Sequence, residues 1–219
     1  TEFLFGSWEF DFDIHGLIRS SPLILDLVAK QLTVDDGPPR AKFLHLLATH
    51  VPTQLDENCS SASGVDPWRR QSMRGQAVCA LRRTAEILRA MKRHDVYENS
   101  AVFVISDHGG GFAREVFRPS GNDPTFQSAL GMASAVLAHK PPQARGGVAF
   151  SDRPMTLAEI PSLVCSAANC RAQPAFPSHD SASRRFLFYD WRQGLWTRDV
   201  LTSSARAFDI APDVAEPAS

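Results

Sequence analysis

Two kinds of hydrophobic pattern recur along the chain: unbroken apolar runs, typical of buried strands, and apolar stripes, typical of amphipathic helices. The run at residues 101–105 leads into Ser-Asp-His and three glycines, which predicts a buried parallel strand ending in a tight loop. Apolar residues spaced by three and four over residues 76–93 predict a surface helix before it. Another apolar run at residues 42–48, with His45 as a packed core histidine, precedes that helix. Strand, helix and strand in this order predict a parallel sheet.

Shorter patterns predict further elements. Ser21 followed by Pro22 suits the N-cap and first position of a helix. The capping-box pair Thr156 and Glu159 suits the start of a short helix that runs through Cys165. The remaining predicted elements are short strands at residues 133–138, 185–191, 195–201 and 207–210.

Together these elements predict an α/β fold in which helices flank a mainly parallel sheet. We expect residues 1–170 to form one incomplete domain of this kind, and residues 171–219 to form a small antiparallel subdomain of the same unit. The length of 219 residues suits one domain with a small appendage.

The composition narrows the classes of partner. Lys and Arg number 23 against 24 Asp and Glu, which gives a net charge of -1. A net charge so close to zero gives no overall positive potential that would attract nucleic acid or an anionic membrane surface. The basic clusters are also short and separated. No apolar run reaches the roughly eighteen residues of a membrane span, and the chain begins at Thr1 without a signal-peptide pattern. We therefore expect a domain cut out of a longer protein.

The adjacent Asp107 and His108 are the strongest candidates for chemistry. Ligands bind at the carboxyl ends of strands in open α/β sheets, and a neighbouring carboxylate and imidazole can both reach one metal ion. Two alternatives stay open here, because Asp at a strand end often serves turn chemistry and His-Gly-Gly-Gly is also the oxyanion-hole signature of lipase-like esterases. The esterase fold needs G-x-S-x-G downstream, and the nearest candidate, around Ser128, does not match.

The order of the motifs resembles a known family. A strand ending in Thr-His-x-Pro at residues 49–52 is followed by a long helix, by Tyr-Glu-Asn-Ser at residues 97–100 and by a strand ending in Ser-Asp-His-Gly. This order resembles the C-terminal half of the catalytic domain of the alkaline-phosphatase superfamily, and within it the sulfatase-like membrane enzymes of the lipoteichoic-acid synthase and phosphoethanolamine transferase type. The resemblance extends over residues 42–165, with Glu98 and Glu159 where family members usually carry Asp. Because these family members carry transmembrane helices ahead of the soluble domain, the resemblance implies that the chain meets a membrane only through a missing N-terminal segment.

The resemblance implies roles for particular residues. It makes Asp107 and His108 ligands of a divalent metal, and the imidazole favours Zn²⁺ or Mn²⁺ over Ca²⁺. His50 becomes the catalytic histidine that binds the anionic group of the substrate, with an exposed turn histidine as the alternative. Lys140 would contact the same anion, although a solvated lysine at a strand end fits equally well. Independently of the resemblance, the position of Arg69 in a long polar loop makes it a candidate for contact with a substrate head group.

The implied function is that of a metal-dependent hydrolase or transferase acting on phosphate-type or sulfate esters. Its substrate would be an anionic ester such as a lipid or glycan head group, and nucleic acid would not be a partner. The competing interpretation is a non-catalytic or degenerate sulfatase-like module, because no strand before residue 42 ends in a nucleophile motif and two protein ligands hold a metal poorly. We therefore expect the nucleophile and further ligands on a preceding segment, and no turnover by this chain alone.

The four cysteines are informative about the cellular compartment of the protein. Cys59, Cys79, Cys165 and Cys170 fit no common zinc spacing, and spacing alone leaves two local disulfides or four free thiols open. The resemblance to an exported family favours the disulfides Cys59–Cys79 and Cys165–Cys170, and with them the periplasm or the extracellular face of the membrane. The first disulfide would restrain a long polar loop predicted at residues 54–74, whose tryptophan we expect to pack onto the core.

Overall fold

The computed structural model describes residues 13–35, 37, 38, 40–110, 131–151, 155–168, 170, 184–188 and 206–210. Within them lie the helices α1 (Ile14–Lys30), α2 (Arg70–Arg93) and α3 (Ile160–Ala168), and the strands β1 (Val102–Ile105), β2 (Leu137–Lys140), β3 (Arg184–Phe188) and β4 (Arg206–Ile210). The chain divides into two compact units, Thr1–Glu98 and Asn99–Ser219. The described part is thus a mixed fold of helices and small two-stranded antiparallel sheets.

Helix α1 begins earlier than predicted. The predicted start at Ser21 and Pro22 is wrong, because α1 begins at Ile14 and both residues lie inside it. Asp13 is the N-cap, and its carboxylate accepts a hydrogen bond from the amide of Gly16 at 2.9 Å. The buried stripe of α1 consists of Ile18, Ser21, Pro22, Leu25 and Ala29. Because the stripe continues across the proline, packing of the whole face outweighs the backbone hydrogen bond that proline removes.

Helix α2 confirms the predicted amphipathic helix, although it begins at Arg70 rather than at residue 76. It packs against α1 within the first unit. Its buried residues are Gln76, Cys79, Ala80 and Ala90. Three of these four side chains are small, which leaves room for close packing on the buried face of α2.

The strand predicted at residues 42–48 is wrong, since residues 41–47 have no regular secondary structure. Phe43 is 89% exposed, and His45 is exposed as well, so the prediction of a core histidine is also wrong. An apolar run forms a buried strand only where neighbouring strands pair with its backbone and another layer covers it. Among the described residues of the first unit, no strand is present to pair with this segment.

Strand β1 confirms a strand within the predicted residues 101–105, but the predicted burial is wrong, because its first three residues are half-buried and Ile105 is 40% exposed. It pairs antiparallel with β2, so that Val102 lies opposite Lys140. The described strand pairs are thus antiparallel, and the mainly parallel sheet stays a prediction. Strand β2 itself lies later in the chain than the strand predicted at residues 133–138.

A small antiparallel sheet near the C-terminus is confirmed. Strands β3 and β4 pair with Phe186 opposite Phe208, and they correspond to the strands predicted at residues 185–191 and 207–210. The strand predicted at residues 195–201 lies outside the described residues. The domain boundary predicted after residue 170 falls within the second unit and stays a prediction.

The capping box before α3 is confirmed. The amide of Thr156 donates to the carboxylate of Glu159 at 2.7 Å, and the Thr156 side chain in turn accepts the backbone amide of Glu159. The box opens a short 3₁₀ turn, Leu157–Glu159, that passes directly into α3. Helix α3 continues beyond Cys165, where the predicted helix ends, to Ala168.

Both disulfides are formed. The Cys59–Cys79 bond, with Cα atoms 5.2 Å apart, ties the loop before α2 to the buried face of that helix. The Cys165–Cys170 bond, with Cα atoms 4.8 Å apart, closes the C-terminal end of α3. Because disulfides persist in oxidising compartments, this pairing indicates an extracytoplasmic environment. In the part of the chain that the structure describes, no helix is long and apolar enough to cross a membrane.

Candidate functional site

Asp107 and His108 project from the end of β1, and the residues on either side of them are anchored. Ser106 donates its amide to the carbonyl of Val136 at 3.0 Å and accepts the Val136 amide on its hydroxyl at 2.8 Å. On the other side, the amide of Gly109 donates to the carbonyl of Met132 at 2.8 Å. The two-residue tip is therefore held at both ends by the segment that leads into β2.

Gly109 is required by the close approach of two backbone segments. A Cβ at this position would lie 2.1 Å from the carbonyl oxygen of Gly131 and 2.4 Å from that of Ser134. Real Cβ atoms do not come so close to backbone oxygens, so any side chain would push the tip away from its anchor. The glycine that follows the Asp-His pair thus sets the position of that pair, as the tight loop predicted from the sequence requires.

The carboxylate and the imidazole of the tip lie beside each other and face solvent. The side chains of Asp107 and His108 are 74% and 48% exposed. Oδ1 of Asp107 accepts the amide of His108 at 3.0 Å, and Oδ2 lies 3.7 Å from Nε2 of the ring. Nδ1 of His108 lies 2.7 Å from the carbonyl oxygen of Gly109, which can only accept, so Nδ1 carries the hydrogen in the neutral ring. The neutral ring therefore presents the lone pair of Nε2 next to the carboxylate.

This arrangement fits two ligands of a divalent metal. Donor atoms bound at about 2.1 Å to a tetrahedral ion lie about 3.4 Å apart, so a small rotation of either side chain would bring the 3.7 Å pair to that spacing. The hydrogen bond from Nδ1 to a backbone carbonyl is the usual support of a metal-binding histidine, since it fixes the tautomer and the ring orientation. No group of three or more metal-ligating side chains occurs among the described residues. The described part thus places one carboxylate oxygen and one imidazole nitrogen at a spacing that suits two ligands of one ion.

His50 has the same tautomeric preference in the first unit. Its amide closes a turn onto the carbonyl of Leu47 at 3.0 Å, and its Nδ1 contacts the carbonyl oxygen of Val51. Nδ1 therefore carries the hydrogen in the neutral ring, and the lone pair of Nε2 is left to accept a hydrogen bond or a proton. The imidazole is half-buried, at the end of the segment that the sequence predicts as a strand.

The side chain of Gln76 anchors the backbone around His50, and the sequence interpretation missed it. Gln76 is fully buried in α2. Its Nε2 donates to the carbonyl of His50 at 2.8 Å, while its Oε1 accepts the amides of Gln54 at 2.7 Å and Leu55 at 3.1 Å. One amide thus joins the His50 turn and the following loop to α2. A glutamine on the buried face of an amphipathic helix is the signal that could have revealed it.

Arg69 lies at the N-cap of α2 and faces solvent. Its Nε donates to Oδ2 of Asp66 at 3.3 Å, an exposed ion pair within the loop. The neighbouring Trp68 is 59% exposed, so the expectation that this tryptophan packs onto the core is wrong. Contact of Arg69 with a substrate head group stays a prediction.

Lys140 lies at the opposite end of the β1–β2 ladder from Asp107. It pairs with Val102 at the beginning of β1, whereas Asp107 follows the end of that strand. Its Nζ donates to the carbonyl of Ser100 at 3.1 Å and to that of Pro141 at 3.2 Å. At about 3.4 Å per strand residue, Lys140 is well over 10 Å from the carboxylate, so the structure does not bring these two predicted site residues together.

His50 belongs to the first unit and the Asp107-His108 tip to the second. Their predicted meeting at one sheet edge, within reach of the same substrate, therefore stays a prediction. No known protein family, no curated protein and no solved structure matches the chain. The site has to be interpreted from its own geometry.

Proposed function

We propose that the chain is part of a metal-dependent hydrolase or transferase that acts on phosphate-type or sulfate esters at the periplasmic or extracellular side of a membrane. In this proposal the described units belong to a sulfatase-like α/β domain with a mainly parallel sheet. The single observation that supports it most is the geometry of the Asp107-His108 tip. An anchored, exposed carboxylate and imidazole place two donor atoms 3.7 Å apart.

Asp107 and His108 would hold the metal, with further ligands from outside the described residues. A bound divalent ion supplies neutralisation of the ester charge and a lowered pKa of the attacking hydroxyl. His108 contributes Nε2, kept available by the hydrogen bond of Nδ1 to Gly109. The donor set of one imidazole and one carboxylate suits Zn²⁺ or Mn²⁺ better than Ca²⁺, which prefers oxygen ligands throughout.

When Nε2 carries a proton, His50 would donate that hydrogen to the anionic group of the substrate or transfer the proton to the leaving group. Its ring orientation supports this role, because the Val51 carbonyl fixes the hydrogen on Nδ1 and Nε2 is left to exchange protons. The role requires that the turn around His50 keep its shape while substrate binds. The buried amide of Gln76 provides that restraint through the carbonyl of His50.

A titration with Mn²⁺ tests the metal ligands directly. Paramagnetic broadening of backbone amide signals is recorded as Mn²⁺ is added in small amounts, and Zn²⁺ is then added as a competitor. We expect selective broadening at residues 106–109 that Zn²⁺ reverses. His108→Ala should abolish this broadening, whereas His50→Ala should retain it, because His50 acts on the substrate rather than on the metal.

A matched control keeps the test specific. His45→Ala removes another exposed histidine from a segment without regular structure, so it should leave the broadening pattern unchanged. If the wild-type protein shows no selective broadening at residues 106–109, the Asp-His pair serves only the conformation of the loop and binds no metal. That result would reject the proposal and favour the non-catalytic module.

A further inference from the structure

Helix α2 carries far more positive charge than the chain as a whole. Its 24 residues include seven basic residues and one acidic residue, a net charge of +6, whereas the whole chain has a net charge of -1. Counted along the sequence, these residues form short separate clusters. On a helix they gather, because residues three, four and seven apart share a face.

Six of the seven cations lie on the exposed side of α2. They are Arg70, Arg74, Arg82, Arg89, Lys92 and Arg93, all of them exposed. The seventh, Arg83, turns toward α1, where its guanidinium pairs with Asp26 at 3.1 Å. The opposite side of the helix is occupied by the buried residues that face the core. The basic face of α2, defined by these six residues, is therefore a surface feature rather than part of the packing.

Most of this charge is not neutralised. Arg89 pairs with Glu86 on the same helix. In the described part of the chain, the other five cations have no ion pair with a carboxylate. Arg82 donates to the carbonyl of Glu57, and Lys92 lies 4.6 Å from the ring centroid of Tyr97, so these two are oriented without losing their charge.

Two large apolar side chains accompany the basic face. Leu81 lies seven residues after Arg74 on the same stripe of the helix and is 60% exposed. Trp68, two residues before the helix, is 59% exposed. Tryptophan and leucine among cations are the side chains that enter the boundary between lipid head groups and acyl chains, while Lys and Arg contact the charged head groups.

We infer that the basic face of α2 is a docking surface for an anionic lipid bilayer. The positive charge favours an anionic partner, and the two disulfides indicate an oxidising compartment, which argues against nucleic acid. The exposed Leu81 and Trp68 favour a partner with an apolar interior over a fully hydrated polyanion. A helix of 24 residues is about 36 Å long, so it can lie flat along the head groups. This inference is independent of the proposed metal site.

The expected strength follows from the number of cations. Each Lys or Arg close to an anionic membrane surface strengthens binding by about five-fold at moderate ionic strength. Removing two cations should therefore weaken binding about thirty-fold, and reversing their charge should weaken it further. Because the attraction is electrostatic, rising salt should weaken it as well.

Sedimentation with lipid vesicles tests the inference. Phosphatidylcholine vesicles with and without phosphatidylglycerol are compared for the wild-type protein and for the double variant Arg70→Glu/Arg74→Glu. We expect binding that depends on phosphatidylglycerol and that falls by more than about thirty-fold in the variant. The matched control is Arg40→Glu/Lys42→Glu, which makes the same change in net charge at exposed residues off the helix and should keep its affinity within a few-fold.

A second measurement tests the apolar part of the contact. Vesicles of brominated lipids should quench tryptophan fluorescence of the wild-type protein, and Trp68→Phe should remove most of that quenching. Equal affinity for vesicles with and without phosphatidylglycerol would overturn the inference, and so would equal losses in the two charge variants. Binding to heparin that depends on Arg70 and Arg74, without quenching of Trp68 by brominated lipid, would overturn it in favour of a soluble anionic glycan.

Discussion

The buried amide of Gln76 allows a quantitative prediction about the loop that carries His50. Replacing Gln76 with Ala removes three hydrogen bonds at once, to the carbonyl of His50 and to the amides of Gln54 and Leu55. The bond to Leu55 is buried, whereas the other two are partly buried, so water can replace those two more easily. The substitution therefore removes one buried hydrogen bond, whose loss costs more free energy, and two partly buried ones, whose loss costs less.

The magnitude follows from that difference. A buried amide hydrogen left without a partner costs about 2 kcal/mol, and each partly buried bond contributes about 1 kcal/mol net. We expect Gln76→Ala to lower the free energy of unfolding of the first unit by about 4 kcal/mol, a large part of the stability of a small domain. Gln71→Ala, an exposed glutamine on the same helix, should change it by less than about 0.5 kcal/mol.

Hydrogen exchange measured residue by residue provides the assay. The amides of Gln54 and Leu55 should exchange much faster in Gln76→Ala, because their acceptor has been removed. Gln76→Glu keeps an acceptor oxygen for both amides but cannot donate to His50 when ionised, so it should protect Gln54 and Leu55 better than the alanine variant does. Unchanged exchange at both amides in Gln76→Ala, with a stability within about 1 kcal/mol of wild type, would refute the reasoning.

Two further predictions concern the second unit. Gly109→Ala places a Cβ 2.1 Å from the carbonyl oxygen of Gly131, so we expect it to lower the free energy of unfolding, measured by thermal denaturation, by at least about 2 kcal/mol. Gly147→Ala, whose Cβ meets nothing within 4 Å, should leave the stability nearly unchanged, and equal stabilities of the two variants would contradict the packing argument. His139 is exposed on β2, but its ring stacks on Phe103 with centroids 4.2 Å apart, and this partial desolvation lowers the pKa of the imidazole. The unfolded chain therefore binds the proton more readily, so the small contribution of His139 to stability is complete above pH about 6.5 and is lost as the pH falls. A titration of the ring signals by NMR that gives an ordinary or raised pKa would contradict this direction.

Features whose free energy is local could be predicted from the sequence. The apolar run before Asp107 forms β1, the stripe over residues 76–93 lies within α2, and the capping box of Thr156 and Glu159 opens a helical segment. Each of these depends on neighbours within a few residues along the chain, through side-chain periodicity or a hydrogen bond to the nearby backbone. The sequence also predicts the Asp107-His108 tip itself, because it follows directly from where β1 ends.

Features that depend on distant partners were decided by the tertiary structure. The apolar run at residues 42–48 does not become a strand, because hydrophobic residues alone provide no partner for its backbone. In the sequence, Gln76 is only a polar residue within a helix. In the structure, its side chain donates to the carbonyl of His50 and anchors that turn. Lys140 follows an apolar stretch as predicted, but the antiparallel register places it at the far end of β1 from Asp107. Sequence pattern determines which residues can be buried or paired, whereas burial and pairing arise only when chain segments far apart in sequence meet.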